Sequence, residues 1–283
     1  MPHHGALKYL TICCLHVIFP LLQDKNNLNG TLPTELGALL SLERLWASRN
    51  ILHGTIPASI GNLPLLKDLS LDENSLTGTI PSTLGNSDDI VSIFLSSNQL
   101  TGTIPPEISS HQSLEILSLY SNKLTGTIPE FHLSGYAHFI DLGENALTGT
   151  IPQSIFALSD LELFDFSKNS LTGTLSTRIG VLGSLEYIDL SYNNFSGPLP
   201  SEIGLLDQLV YLFFESNHFN STIPTELGKL RDVDSLYLDY NWLTGPIPSE
   251  LGSWTKLKYL TVNSNNITGN VPSSWAALSS LGK

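Results

Sequence analysis

Three aspartates are the first residues of this chain whose type and spacing could do chemistry. Asp141, Asp165 and Asp189 stand 24 residues apart. Grouped carboxylates bind cations, share protons or receive basic ligands. Equal spacing also indicates a structural repeat, in which equivalent residues would stack about 5 Å apart. Two interpretations stand: a bound cation or basic ligand relieves the repulsion, or the aspartates belong to the ordinary composition of the repeat, which we favour.

Motifs of catalysis and of metal binding are absent from the sequence. It contains no His-Glu-x-x-His, no Gly-x-Ser-x-Gly and no Gly-x-x-x-x-Gly-Lys. The eight histidines are scattered, and His132 and His138 have no third ligand at a spacing suited to a metal. We therefore predict a protein that is not an enzyme, binds no metal and needs no cofactor.

An asparagine sets the period of the repeat. Nine of the ten intervals between these asparagines are 24 residues long, and the interval from Asn122 to Asn145 is 23. A carboxamide at a turn can bond two backbone groups at once, so we predict that the side chains form a ladder along the interior. The predicted ladder consists of Asn26, Asn50, Asn74, Asn98, Asn122, Asn145, Asn169, Asn193, Asn217, Asn241 and Asn265.

The elements that position these residues can be read from one unit, residues 66 to 85. Leu69 and Leu71 alternate with Ser70 and Asp72, which predicts a strand with one buried face. Gly78 then gives the freedom to turn. A unit of this size cannot bury its apolar face alone, so the units must stack.

This pattern, Leu-x-x-Leu-x-Leu-x-x-Asn-x-Leu-Thr-Gly-Thr-Ile-Pro-x-x-Leu-Gly, resembles the plant-type leucine-rich repeat. That class occurs in receptor kinase ectodomains, receptor-like proteins and polygalacturonase inhibitors. The resemblance covers roughly residues 18 to 281. It implies an α/β repeat fold, a curved solenoid with a parallel β-sheet on its concave face and short 3-10, helical or irregular segments on the convex side.

We predict two parts, an apolar N-terminal segment (1–17) and one repeat domain (18–283) of about 11 units, truncated at its C-terminus. The apolar run fits a targeting segment or a frayed first coil equally well. Cys13 and Cys14 are adjacent and cannot form an ordinary disulfide, whereas the family usually carries cysteine pairs in caps. We expect a fragment; the alternative is an uncapped chain that associates with itself or a co-receptor through its ends.

The predicted function lies on the outward strand positions, six, four and two residues before each asparagine. Of these 33 positions nine are aromatic, where the chain-wide 8% gives fewer than three, and eight are acidic. Exposed aromatic residues anchor ligands, although they also simply suit strands. The predicted ligand-binding residues of the concave face are Trp46, Asp72, Phe94, Tyr120, Phe139, Asp141, Asp165, Tyr187, Asp189, Tyr211, Phe213, Glu215, Tyr237, Asp239 and Tyr259.

Charge and sequons limit the partners. A formal charge of −13 disfavours nucleic acid, so we expect a peptide, protein or glycan ligand. Membrane attachment would come only through the N-terminal segment or through segments missing from this sequence. Candidate glycosylation sites are Asn29, Asn194, Asn220 and Asn266, about as many as composition alone would give.

Three functions follow in order of preference. The first is the extracellular or cell-surface ligand-binding region of a receptor kinase or receptor-like protein. The second is a secreted inhibitor of the polygalacturonase-inhibitor type. The third is ice binding by regularly spaced threonines, such as Thr77 and Thr79, which recur as Thr101 and Thr103.

Overall fold

A computed structural model describes residues 25–133 and 136–282. The predicted N-terminal segment (1–17), with Cys13 and Cys14, lies outside the described residues. The described residues form two compact units, divided between residues 134 and 135, and each is described by itself. A single repeat domain over residues 18–283 stays a prediction.

Most coils of the repeat contain the same three elements in the same order, but the coil with strands Ile116–Ser118 and Lys123–Thr127 has no 3-10 turn among its described residues. A short strand is followed by a strand on the flank of the coil and then by a 3-10 turn. The short strands pair in parallel with one another, and so do the flank strands. We call these two arrays the short-strand sheet and the flank sheet.

In the first unit the short-strand sheet has four strands and the flank sheet five, and within each sheet the strands are ordered as in the sequence. The short strands are β2 (Arg44–Trp46), β4 (Asp68–Ser70), β6 (Ser92–Phe94) and β8 (Ile116–Ser118). The flank strands are β1 (Asn29–Thr31), β3 (Ile51–Thr55), β5 (Ser75–Thr79), β7 (Gln99–Gly102) and β9 (Lys123–Thr127). The 3-10 turns are η1 (Thr34–Ala38), η2 (Ala58–Asn62), η3 (Ser82–Asn86) and η4 (Ile108–Ser110).

The second unit repeats this arrangement with six short and six flank strands. The short strands are β10 (Phe139–Asp141), β12 (Leu163–Asp165), β14 (Tyr187–Asp189), β16 (Tyr211–Phe213), β18 (Ser235–Tyr237) and β20 (Tyr259–Thr261). The flank strands are β11 (Ala146–Gly149), β13 (Ser170–Thr174), β15 (Asn194–Pro198), β17 (His218–Thr222), β19 (Trp242–Gly245) and β21 (Asn266–Ile267). The 3-10 turns are η5 (Gln153–Ala157), η6 (Thr177–Val181), η7 (Ser201–Leu205), η8 (Thr225–Lys229), η9 (Ser249–Ser253) and η10 (Ser273–Ala277).

The predicted leucine-rich repeat fold is confirmed by these parallel sheets and stacked coils. The described ranges contain 3-10 turns and no α-helix, and within them no helix is long and apolar enough to cross a membrane. Leu69 and Leu71 are fully buried, while Ser70 and Asp72 keep part of their surface in solvent. The period of two along the strand therefore divides a core face from an outer face, as the alternation predicts.

The repeating asparagine connects each coil to the coil before it. The Asn98 amide nitrogen donates to Leu95 O and Ser96 O of its own coil and to Leu71 O of the preceding one, at 3.0 to 3.1 Å. Its Oδ1 accepts the Leu76 N–H of the preceding coil at 2.9 Å. One side chain thus satisfies four buried backbone groups.

The residue before each ladder asparagine has a left-handed backbone without being glycine. Tyr192 and Tyr240, for example, have φ of 53° and 52°. This conformation is unfavourable for a residue with a Cβ, so the bonds of the asparagine must hold the turn. It also turns the side chains of both tyrosines out into solvent.

Candidate ligand-binding face

The outward positions of the second unit align in columns on the outer face of the short-strand sheet. The first residues of the six strands pair in register, and so do the third residues. The third-residue column reads Asp141, Asp165, Asp189, Phe213, Tyr237 and Thr261. Positions two before each asparagine, such as Glu215 and Asp239, are the second residues after the strand end rather than strand residues, because each short strand has only three residues.

Four of the predicted aromatic residues touch one another and form what we call the aromatic cluster, Tyr187, Tyr211, Phe213 and Tyr237. Ring centroids are 5.5 Å apart for Tyr187 and Phe213 and 5.0 Å apart for Phe213 and Tyr237. Tyr211 lies 6.0 Å from Tyr187 and 6.3 Å from Phe213. Tyr211 is 39% exposed, and the other three are half-buried. The edge-to-face contacts of Phe213 with Tyr187 and Tyr237 restrict the orientation of the rings, which together form one largely apolar surface.

The three aspartates form a file beside the aromatic cluster. Asp141 pairs in register with Asp165, and Asp165 with Asp189. Each carboxylate accepts the N–H of the residue two positions later, Gly143, Ser167 or Ser191, at 2.8 to 3.1 Å. Within the described residues, no ion pair includes a member of this file.

Burial and mutual repulsion make these carboxylates hard to ionise. Burial raises the pKa of Asp141 to about 7, and the charge of Asp165 adds to the rise. The same two causes raise the pKa of Asp189 to about 6. Burial also raises the pKa of Asp165, although hydrogen bonds from Ser167 and then the charge of Lys168 oppose it. Asp141 and Asp189 therefore exchange protons closer to neutral pH than an ordinary aspartate does.

A fourth carboxyl, Glu215, extends the acidic group to the other side of the cluster. Burial raises its pKa to about 7, and the charges of Asp189 and Asp239 add to the rise. Its Oε2 atom is buried and has no hydrogen-bond partner among the described residues. Asp239, in contrast, accepts the Asn263 N–H at 2.7 Å. Glu215 therefore keeps an unused polar atom next to the rings.

The predicted site residues of the first unit make a different set of contacts. Arg44 pairs with Asp68 at 3.0 Å and lies 5.7 Å from the centre of the Trp46 ring. Asp72 accepts hydrogen bonds from the hydroxyls of Ser48 and Ser70. Phe94 and Tyr120 are half-buried. Asp68 of this unit therefore has a basic partner, whereas no member of the aspartate file forms an ion pair among the described residues.

Sequence reasoning missed the charged border of the second unit's face. Lys258 Nζ lies 2.6 Å from Asp234 Oδ2, next to Tyr259 and Ser235. The contact with Asp234 raises the pKa of Lys258, and the contact with Lys258 lowers that of Asp234. The signal was available, because the two residues occupy the same repeat position one period apart.

Comparison with protein families gives one family model, the Leucine Rich Repeat. It matches residues 41–63, 65–87, 89–111, 113–133, 184–206, 233–254 and 256–278. Comparison with curated proteins gives no match.

Among solved structures, the chain is similar to the plant peptide hormone receptor RGFR1 in complex with RGF2. The TM-score is 0.88 and the identity 35%, over 90% of this chain and 41% of that one. The Arabidopsis receptor kinase HAESA, in complex with the peptide hormone IDA and the co-receptor SERK1, gives 0.74 and 32%, over 90% and 47%. The chain thus spans less than half the length of these receptor chains.

A plant ice-binding protein is also similar, with a TM-score of 0.73 and 30% identity. This match covers 89% of the chain and 81% of the ice-binding protein.

Proposed function

This chain belongs to the leucine-rich repeat family, and on that premise we propose that it is part of the extracellular ligand-binding region of a plant receptor kinase or receptor-like protein. Its ligand is a peptide or protein segment that docks on the outer face of the second unit's short-strand sheet. The receptor assignment is supported by the similarity to RGFR1 and HAESA, both solved with a peptide.

The aromatic cluster is the observation that carries the proposal. Four rings on the outer face of β14, β16 and β18 contact one another and keep part of their surface in solvent. Water solvates such a surface poorly, and aromatic anchors of this kind supply much of the binding energy in protein interfaces. The rings already hold one another, so a ligand loses little free energy in ordering them.

The carboxyl groups around the cluster define the polar side of the ligand. Asp189 pairs in register with Phe213 on the neighbouring strand, and Glu215 Oε2 has no hydrogen-bond partner among the described residues. A ligand that brings a cationic side chain would relieve the repulsion within the aspartate file. We therefore expect the bound segment to combine an apolar residue with a lysine or arginine.

A binding measurement with ring variants tests the proposal. A displayed library of short peptides is selected on the protein, and the enriched peptides are titrated by calorimetry. The triple variant Tyr211→Ala, Phe213→Ala, Tyr237→Ala should lose at least about tenfold in affinity, while the control Tyr136→Ala, an exposed tyrosine outside the cluster, should bind like the parent. Equal affinity of the triple variant and the parent would sink the proposal.

The secreted inhibitor is the remaining alternative of the recognition type. It would use the same face to cover the cleft of a secreted enzyme. The full-length transcript distinguishes the two, because a receptor continues into a membrane span and an inhibitor ends after a cysteine cap.

A second candidate function, ice binding, is favoured by the flank sheet of the first unit. Threonines in register form exposed rows on this sheet, with Thr55 opposite Thr77 and Thr79 opposite Thr101. The exposed set contains Thr31, Thr55, Thr77, Thr79, Thr101, Thr103, Thr125 and Thr127. The similarity to a plant ice-binding protein over 81% of its chain adds support.

Thermal hysteresis measured by nanolitre osmometry tests this second candidate. Thr79→Lys interrupts the rows and should abolish the hysteresis, while Ser82→Lys, on an exposed residue of η3, should leave it unchanged. Absence of hysteresis in the parent protein would eliminate ice binding.

A further inference from the structure

An exposed aromatic pair on the flank sheet of the second unit lies outside the face described above. His218 and Trp242 are the first residues of β17 and β19, and their rings stack with centroids 4.6 Å apart and an interplanar angle of 22°. Trp242 is 57% exposed. Most equivalent positions hold small or polar residues, such as Ser170 and Asn194, and none of the described ones other than His218 and Trp242 holds an aromatic residue. The repeat does not require these rings, and an uncovered indole indicates an apolar partner.

Asn220 lies next to this pair in the sheet. It is the third residue of β17 and stands opposite Trp242 in the parallel register, so the two backbones are about 4.8 Å apart. Residues on alternate strand positions share a face, and the intervening Phe219 is fully buried. Asn220 therefore projects on the same outer side as the rings.

The segment that contains Asn220 departs from the repeat. Asn220-Ser221-Thr222 occupies the place of Thr172-Gly173-Thr174 in β13, and the change creates an acceptor sequence for N-linked sugars. The other acceptors of this sheet lack an aromatic neighbour in register, since Asn194 stands opposite Thr172 and Asn266 opposite Thr244.

Local geometry leaves the amide nitrogen of Asn220 available. Ser221 replaces the usual glycine at a φ of 69°, and its hydroxyl donates to Asn220 Oδ1 at 3.2 Å. This bond orients the carboxamide and engages the oxygen rather than Nδ2. The equivalent glycines show why a side chain fits here. A Cβ added at Gly245 would lie 2.8 Å from the methyl group of a threonine in the preceding coil, whereas a Cβ added at Gly269 would lie 3.2 Å from the Cβ of a proline there. A proline in the preceding coil therefore leaves more room than a threonine.

Ser221 also has a proline in the preceding coil, since Pro198 pairs in register with Asn220. The site is thus built from departures in two successive coils.

We propose that Asn220 carries an N-linked glycan whose first sugar packs on the His218–Trp242 pair. A lipid-linked oligosaccharide pyrophosphate is the donor, and a separate transferase catalyses the step. The bond between sugar C1 and the pyrophosphate oxygen breaks, Nδ2 forms a bond to C1 and loses one proton, and the lipid pyrophosphate leaves. The C–H face of the sugar then covers the indole, which combines a polar attachment with an apolar surface.

This glycan would lie on the flank and leave the outer face of the short strands open. The inference rests on the extracellular location in the proposed function, because N-linked sugars are added in the secretory pathway. It does not depend on the proposed ligand or on the choice between receptor and inhibitor.

The test compares the parent with Asn220→Thr, which restores the residue found at Thr172, both made in eukaryotic cells through the secretory route. Mass spectrometry of glycopeptides should find sugar on Asn220 of the parent. Hydroxyl-radical labelling followed by peptide mass spectrometry should oxidise Trp242 severalfold more slowly in the parent than in Asn220→Thr, and Tyr240, which is also exposed, should label equally in both.

A matched control, Asn194→Ser, removes the neighbouring acceptor and should not change the labelling of Trp242. Two results would each overturn the proposal: an unmodified Asn220 in the secreted parent, or the same rate of Trp242 oxidation with and without the Asn220 glycan.

Discussion

Replacing Asp141 by asparagine should make the protein more stable at high pH and leave it almost unchanged at low pH. The amide keeps the Oδ1 acceptor for the Gly143 N–H and removes the charge from the aspartate file. Burial and the charge of Asp165 raise the pKa of Asp141, which means that the ionised carboxylate destabilises the folded state. The substitution removes that charge.

The magnitude follows from the pKa. A rise from the ordinary value of 3.8 to about 7 means that ionisation costs the folded state about 4 kcal/mol more than the unfolded chain. The neighbouring carboxylates share this cost and solvent screens part of it, so we expect Asp141→Asn to recover about 2 kcal/mol. Because the folded pKa is the higher one, the cost is absent below pH 3.8 and accumulates up to about pH 7.

Urea unfolding at a series of pH values measures the effect. The free energy of unfolding of Asp141→Asn should exceed that of the parent by about 2 kcal/mol at pH 8 and by close to zero at pH 4. Asp68→Asn is the matched control, because it breaks the ion pair with Arg44 and should cost up to about 1 kcal/mol at pH 8. A difference between Asp141→Asn and the parent that does not change with pH would refute the reasoning.

Three further tests concern the interior and the surface of the coils. Asn217 is 3% exposed and bonds three carbonyls and one N–H, so Asn217→Ala should lower the free energy of unfolding by about 3 kcal/mol or more in urea unfolding. Gly102→Ala should cost more than about 1 kcal/mol in the same assay, because φ is +79° and the new Cβ would lie 2.8 Å from the Thr79 methyl; Thr79→Ser should recover part of the loss. Exchanging the charges of the pair Arg49–Glu73 should change the free energy of unfolding by less than about 1 kcal/mol, and a larger loss would show that the pair is not a simple surface contact.

Periodicity allowed most of the fold to be predicted. The alternation of Leu69 and Leu71 with polar residues indicates which face of the strand is buried, and the interval between asparagines gives the length of one coil. The 24-residue interval would also have predicted the ion pairs. All seven pairs in the described ranges join residues 24 positions apart, as in Arg49 with Glu73 and Lys258 with Asp234. A residue and its equivalent one period later lie in adjacent coils, which brings a basic and an acidic side chain into contact.

The candidate site was predictable as a set of outward positions but not as an arrangement. Contacts between rings of different columns, such as Tyr187 with Phe213, depend on rotamers that the repeat pattern does not encode. The raised pKa values of Asp141, Asp189 and Glu215 depend first on how far each carboxyl is buried, which the repeat pattern does not encode. That these residues bind a ligand stays a prediction.

The asparagine bonds have a direction that affects how the chain can fold as it is made. The amide of Asn98 caps the backbone N–H of Leu76 and the carbonyl of Leu71, both in the coil before it. Since the N-terminal coil leaves the ribosome first, each coil emerges before the amide that completes it. Nascent structure within a unit should therefore trail synthesis by one coil, and a lost asparagine should weaken its predecessor as well as its own turn.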